Sequence, residues 1–163
     1  MKKVLITLIA VLAFAGTVTF AATDTKTVSV SATVSATAKL AISAATLTFP
    51  DADPDTTPSI SATEGALTIT AKGKTSAAGN ITLVVKSDGP LTSGTDTIAI
   101  SNLTWTAGGA GYVAGTMNTS DQSVGSWTGS GTYAGTQTYA LANSWTYVTG
   151  SYTATLTYTL TAP

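Results

Sequence analysis

The sequence lacks the side chains that most enzymes use to move protons or to attack a substrate. It contains no histidine and no cysteine, which removes the usual general base, the thiol nucleophile and the commonest metal ligands. Glu64 is the only glutamate, so a glycosidase pair would need at least one aspartate, and no spacing favours such a pair over solvated turn residues. We therefore expect a protein that is not an enzyme.

Three carboxylates at alternate positions, those of Asp51, Asp53 and Asp55, are candidates for a calcium site. Calcium takes several oxygen ligands, and the loop of an EF-hand opens with this spacing. The rest of that loop is missing, because Thr56 stands where its glycine belongs and Ala62 where its bidentate glutamate would be. The other interpretation, which we prefer, is a polar turn whose aspartates accept hydrogen bonds from nearby backbone N–H groups. We expect no other cofactor.

Aromatic residues recur at odd positions in the last third of the chain. They are Trp127, Tyr133, Tyr139, Trp145 and Tyr147. A face of aromatic rings can stack on sugars, but large aromatics also supply the core of a domain without disulfides, since each buries roughly 150–250 Å². We prefer the core interpretation and keep glycan stacking as the alternative.

The N-terminal residues set the expected compartment. Lys2 and Lys3 precede an apolar run over residues 4–14, and Thr19 and Ala21 are the small residues at −3 and −1 of a cleavage site. This order is that of a secretory signal peptide. We expect residues 1–21 to be removed and residues 22–163 to form one exported domain at the cell surface, outside the cell or in the periplasm. No later run is long and apolar enough to cross a bilayer.

The charges of residues 22–163 argue against a polyanionic partner. Five lysines and eight acidic residues give a net charge of −3, and there is no arginine. Affinity for nucleic acid comes from Lys and Arg neutralising phosphates, and affinity for anionic lipid comes from basic clusters. We therefore expect neither nucleic acid nor a membrane surface as a partner.

The clearest periodic signal predicts a long first strand over about residues 27–43. Apolar residues occupy the even positions and mostly Ser, Thr and Lys the odd ones, which places one apolar face on an extended chain. That face carries Val28, Val30, Val34, Leu40 and Ile42. Such a strand spans about 50 Å and exceeds most domain strands, so it either bends between two sheets or projects beyond its own domain. A projecting segment can complete another subunit's sheet by strand addition; the alternative is an ordinary first strand.

The rest of the chain predicts an all-β domain. Short alternating segments are separated by turn residues, such as the run from Ser87 to Pro90, and no segment has the apolar spacing of a helix. About seven to ten such strands are typical of an antiparallel β-sandwich, immunoglobulin-like or jelly-roll-like in outline. Without cysteine, the fold must be stabilised by backbone pairing and packing alone.

The C-terminal run Tyr152-x-x-x-Leu156-Thr157-Tyr158-x-Leu160-x-x-Pro163 resembles the closing motif of the WxL cell-surface domain. That motif reads Y-x-x-x-L-T-W-x-L-x-x-x-P, so Tyr158 replaces a tryptophan here and one residue fewer precedes the proline. The resemblance covers about 12 residues and implies an exported β protein that attaches to peptidoglycan. In general plan the chain is also similar to secreted β-sandwich surface or fibre subunits.

Two functional hypotheses follow from these features. The first is a non-catalytic surface or extracellular structural protein that assembles with copies of itself, or with a related surface subunit, through exposed strands. The second is a binding module for peptidoglycan or another polysaccharide, which depends on the aromatic residues and on the WxL-like run.

Overall fold

A computed structural model describes residues 22–163, and the predicted signal peptide lies outside the described residues. The described chain contains ten β-strands and a short 3-10 helix. These elements are β1 Thr37–Ile42, β2 Ser59–Lys74, β3 Asn80–Ser87, β4 Leu91–Ser93, β5 Asp96–Ile98, the 3-10 helix Ile100–Asn102, β6 Leu103–Gly108, β7 Gly115–Thr116, β8 Gln122–Thr128, β9 Gly131–Ala142 and β10 Leu156–Thr161. No helix within residues 22–163 is long and apolar enough to cross a membrane.

The strands form an antiparallel β-sandwich, which confirms the predicted fold class. One sheet has five strands in the order β1-β2-β9-β6-β7, and the sheet packed against it has three in the order β10-β3-β8. Strands β4 and β5 form a separate hairpin. Every strand pair is antiparallel. The sandwich belongs to a unit that begins at Val34.

The core lies between the two larger sheets. Alternate residues of each strand point inward, so Ile69 of β2, Tyr139 of β9 and Leu83 of β3 meet there, each fully buried. Strand β2 changes the phase of its inward residues at a bulge between Ser61 and Ala66. The bulge lets one long strand bury Ile60 and Ala62 at even positions and Leu67, Ile69 and Ala71 at odd ones.

The strand predicted over about residues 27–43 is shorter in the structure. Strand β1 covers Thr37–Ile42 and pairs with β2, whereas residues 22–36 lie outside any strand and are exposed along their whole length. Alternation sets which way side chains point, but a strand also needs a neighbour for its backbone hydrogen bonds. Residues 27–36 have the sequence of a strand without that neighbour.

Candidate functional site

The residues before β1 form an exposed apolar segment, which we call the arm and define as residues 27–36. Its three valines, Val28, Val30 and Val34, have exposed fractions of 85%, 90% and 75%. Exposed large apolar residues are common one at a time, but a contiguous group of them marks an interaction surface. The arm is therefore the first part of the candidate site.

The predicted donor face divides into two parts. Leu40 and Ile42 belong to β1, where they lie opposite Ala71 and Ile69 of β2 and pack half-buried against the core. They complete their own sheet, so they are not part of a projecting donor segment. The donor face is thus corrected to the three valines of the arm.

The two sides of the sandwich are closed to different extents. On one side, which we call the closed side, the backbone N–H of Val113 donates to the carbonyl of Val124 at 2.9 Å, and that of Ser126 donates to Gly111 at 3.1 Å. These bonds join the segment around β7 to β8. The other side, the open side, has β1 at the edge of one sheet and β10 at the edge of the other. No backbone hydrogen bond within residues 22–163 joins β1 to β10.

Strand β10 has a free edge, because its only partner strand in the described chain is β3. The backbone N–H of Asp88 donates to the carbonyl of Thr155 at 3.0 Å, so the odd residues here direct their backbone groups towards β3. Neighbouring residues of a strand direct these groups to opposite edges. Leu156, Tyr158 and Leu160 therefore present their N–H and C=O groups to the free edge.

A groove of about 1510 Å³, lined by both apolar and polar side chains, opens between the sheets beside this edge. Leu156 and Tyr158 of β10 line one wall, and Leu47 and Phe49, which follow β1, are also among the lining residues. All four side chains are half-buried. The sheets thus leave apolar surface in partial contact with water at the open side, where a further strand would cover it.

A polar cluster joins the two sheets where β10 faces β9. The Tyr158 hydroxyl donates to Gln137 Oε1 and accepts a short hydrogen bond from the Tyr139 hydroxyl, which also lies 3.3 Å from the same glutamine oxygen. Burial raises the pKa of Tyr158 to about 12 and also raises the pKa of Tyr139. Gln137 Nε2 is buried and has no partner among the described residues. Gln137 was not among the predicted site residues, although it is the polar residue in an otherwise apolar or glycine phase of β9.

The five aromatic residues, for which the core interpretation was preferred and glycan stacking kept as the alternative, do not lie together on one exposed surface. Trp127 and Tyr139 are buried, and Tyr133 is half-buried with its ring stacked on that of Trp127 at 4.8 Å. Tyr147 is half-buried, and its hydroxyl accepts a hydrogen bond from Asn102 Nδ2 at 2.9 Å. A buried ring cannot stack on a sugar from solvent. Trp145 is the exception, with an exposed fraction of 69%.

Trp145 lies at the rim of the groove, next to the loop that carries the predicted calcium ligands. Its indole Nε1 donates to the Asp55 carboxylate at 3.0 Å, and the Asp53 carboxylate accepts the backbone N–H of Asp55 at 2.9 Å. Asp51 is exposed in the same loop. Residues 22–163 contain no group of three or more His, Cys, Asp or Glu side chains placed to hold a metal ion. Calcium binding by this loop stays the untested alternative to the polar turn that we prefer.

Two other carboxylates bind the local backbone. Glu64 accepts the N–H of Thr48 at 2.9 Å, and Asp88 accepts the N–H of Thr155 at 2.9 Å. Each bond favours the charged form, and accordingly the pKa of each carboxyl is lowered from its ordinary value. These acids hold the segments next to β2 and β10 in place, which is a structural role.

Comparison with protein-family models, with curated proteins and with solved structures finds no match for this chain.

Proposed function

We propose that this protein is a non-catalytic, exported structural protein of the cell surface or extracellular space that assembles with copies of itself by β-strand addition. The observation that carries the proposal is the arm, in which every second residue is apolar, each valine is exposed, and no strand partner is present in the described chain. Export is supported by the signal-peptide pattern. A non-catalytic role is supported by the absence of histidine and cysteine from the sequence.

Burial of the arm's valines and pairing of its backbone would offset the cost of ordering it. Burying one valine side chain contributes roughly 1.5–3 kcal/mol, so three valines contribute about 4.5–9 kcal/mol. Backbone hydrogen bonds along an added strand contribute roughly 0.5–1.5 kcal/mol each. Ordering each arm residue costs about 1–2 kcal/mol. These opposing terms are similar in size, so the assembly should respond strongly to the loss of a single apolar contact.

A matched pair of arm variants tests the proposal. Val30→Asp places a carboxylate on the apolar face, and Ser31→Asp places the same charge one residue further on the polar face. We expect Val30→Asp to abolish assembly and Ser31→Asp to leave it nearly unchanged. Sedimentation velocity and electron microscopy of the concentrated protein measure the outcome. Equal effects of the two variants, or unchanged assemblies after deletion of residues 22–34, would contradict strand donation by the arm.

A second candidate function is the binding of peptidoglycan or another polysaccharide, as the WxL-like run implies. The specific observation in its favour is the exposed indole of Trp145, held by Asp55 at the rim of the groove, because an exposed aromatic beside carboxylate and amide groups suits a sugar ring. Retention on purified peptidoglycan and on insoluble glycans tests it, with Trp145→Ala compared with Val113→Ala. Val113 is also exposed and is not among the residues that line the groove. Retention that is saturable and lost only in Trp145→Ala supports binding at this rim, and equal retention of the two variants contradicts it.

A further inference from the structure

We infer that the acceptor in this assembly is the free edge of β10 together with the groove beside it, and that its occupant is residues 28–34 of a second copy of this chain. The inference rests on the proposed function and adds the surface that the arm would bind. It places the donated segment as a fourth strand of the three-stranded sheet.

The three-stranded sheet is incomplete on its open side. It has three strands against the five of the opposite sheet, and the inward residues of β10 are only half-buried. The equivalent position in the next strand, Val85 of β3, is fully buried. A strand added beside β10 would give Leu156, Tyr158 and Leu160 the neighbour that β10 itself gives to β3.

The arm and the free edge of β10 are chemically compatible. Residues 27–38 carry no charge, and neither do residues 143–163, so pairing would bury no unpaired ion. In an added strand the valines of the arm lie on the same face as Leu156 and Tyr158 and point into the groove, whereas Ser29, Ser31 and Thr33 remain in water. The free N–H and C=O groups of β10 receive partners at the same time.

The arm and the free edge of β10 also match in length. The six residues of β10 span about 20 Å and residues 28–34 span about 23 Å, so the apolar part of the arm matches the edge that it would cover. The length of the arm thus suits one strand and leaves no long apolar remainder.

The other free edge, that of β1, is protected against such pairing. Lys39 is exposed on β1 and lies directly opposite Lys72 of β2. Charged residues, lysine above all, are a common means of keeping an edge strand from pairing with another chain. Strand β10 has neither a charge nor a proline within Leu156–Thr161, so its edge lacks this protection.

Disulfide trapping tests the acceptor directly, because the sequence has no cysteine of its own. The experiment mixes two full-length proteins. The acceptor protein carries Thr159→Cys on the exposed face of β10. The donor protein carries one cysteine in the arm, and three donor positions cover the possible registers: Ser29→Cys, Ser31→Cys and Thr33→Cys. Residues opposite each other in paired strands have the Cα separation that a disulfide requires. Acceptor controls are Ser123→Cys on β8, at the opposite edge of the same sheet, and Ala41→Cys on β1.

We expect one donor position to form a mixed disulfide with Thr159→Cys in a yield at least ~10-fold above that of either control, identified by mass spectrometry of the linked peptides. A comparable or higher yield with Ala41→Cys or Ser123→Cys overturns the choice of acceptor while leaving assembly intact. Assembly that gives no disulfide to Thr159→Cys also overturns the choice of acceptor and leaves the proposed assembly intact. If the protein does not assemble at all, both this inference and the proposed function are wrong.

Discussion

Replacing Tyr158 with phenylalanine removes a polar link between the two sheets and changes how stability depends on pH. At neutral pH the variant loses the hydroxyl that donates to Gln137 Oε1 and bonds to Tyr139. The glutamine oxygen still has the Tyr139 hydroxyl at 3.3 Å, so we expect a loss of about 1 kcal/mol in the free energy of unfolding.

The same substitution should help the protein at alkaline pH. The pKa of Tyr158 is raised from 10.0 to about 12 in the folded state, so the unfolded chain releases this proton at a lower pH than the folded one. The stability from the protonated hydroxyl is fully present below about pH 10 and is lost as pH rises through about pH 12. Each pKa unit corresponds to about 1.36 kcal/mol, which gives a loss of about 1.4 kcal/mol at about pH 11. Phenylalanine has no proton to lose.

Urea unfolding followed by tryptophan fluorescence, at about pH 8 and about pH 11, checks this expectation. The wild type should be more stable by about 1 kcal/mol at the lower pH, and the difference should vanish or reverse at the higher one. Val85→Ala is the control, since it truncates a buried side chain without changing any titrating group. If the difference between wild type and Tyr158→Phe is the same at both pH values, the cluster does not couple protonation to folding as reasoned here.

Three further predictions concern separate regions of the sandwich. Lys72→Thr should raise the free energy of unfolding by about 0.2–1 kcal/mol, because it removes a like-charge pair with Lys39 directly across two strands. Urea titrations at low salt measure this change. The control is Lys86→Thr, which loses the 3.7 Å contact with Asp121 and should not stabilise the protein. Gly111→Ala should destabilise by about 3 kcal/mol, because Gly111 has φ of +80° and a Cβ there would lie 2.3 Å from Trp127 Nε1. Gly65→Ala, at φ of +66° in open space, should cost only about 1 kcal/mol, and an equal cost at both positions would refute the steric argument. Millimolar calcium should leave Tm unchanged, because the Asp53 carboxylate already accepts the Asp55 N–H and the Asp55 carboxylate accepts the Trp145 Nε1–H. A rise in Tm that Asp53→Asn abolishes would show a calcium site in this loop.

The sequence pattern predicted the orientation of side chains better than it predicted their partners. In β10 the alternation from Leu156 to Leu160 identified the inward face correctly. Residues 27–36 have the same pattern. However, an alternating segment becomes a strand only when its backbone forms hydrogen bonds with a neighbouring strand, which comes from residues far along the chain or from another molecule. Periodicity within one segment contains no information about either.

The aromatic residues also show that alternation within one segment does not predict which strands face each other. Trp127 and Tyr133 share a sequence phase, yet Trp127 lies in the three-stranded sheet and Tyr133 in the five-stranded one. Their rings meet because both point into the core, so the predicted common face was in fact two facing surfaces. The link from Gln137 to Tyr158 could not be predicted, since it depends on which strands of the two sheets face each other. The free edge of β10 depends likewise on the strand order, which alternation does not give.

The unequal closure of the two sides has a consequence for how the sandwich fluctuates. Backbone bonds from Val113 to Val124 and from Ser126 to Gly111 hold the sheets together at the closed side. At the open side β10 is linked to the five-stranded sheet by side-chain bonds, those of Tyr158 to Gln137 and of Thr75 to the Pro163 carbonyl, so we expect transient separation to begin between β1 and β10. Amide hydrogens of β10 should therefore exchange with deuterium earlier than those of β8, even though both strands pair with β3. The two sheets are therefore joined by backbone bonds along one side and can separate along the other, beside the edge with which an added strand would pair.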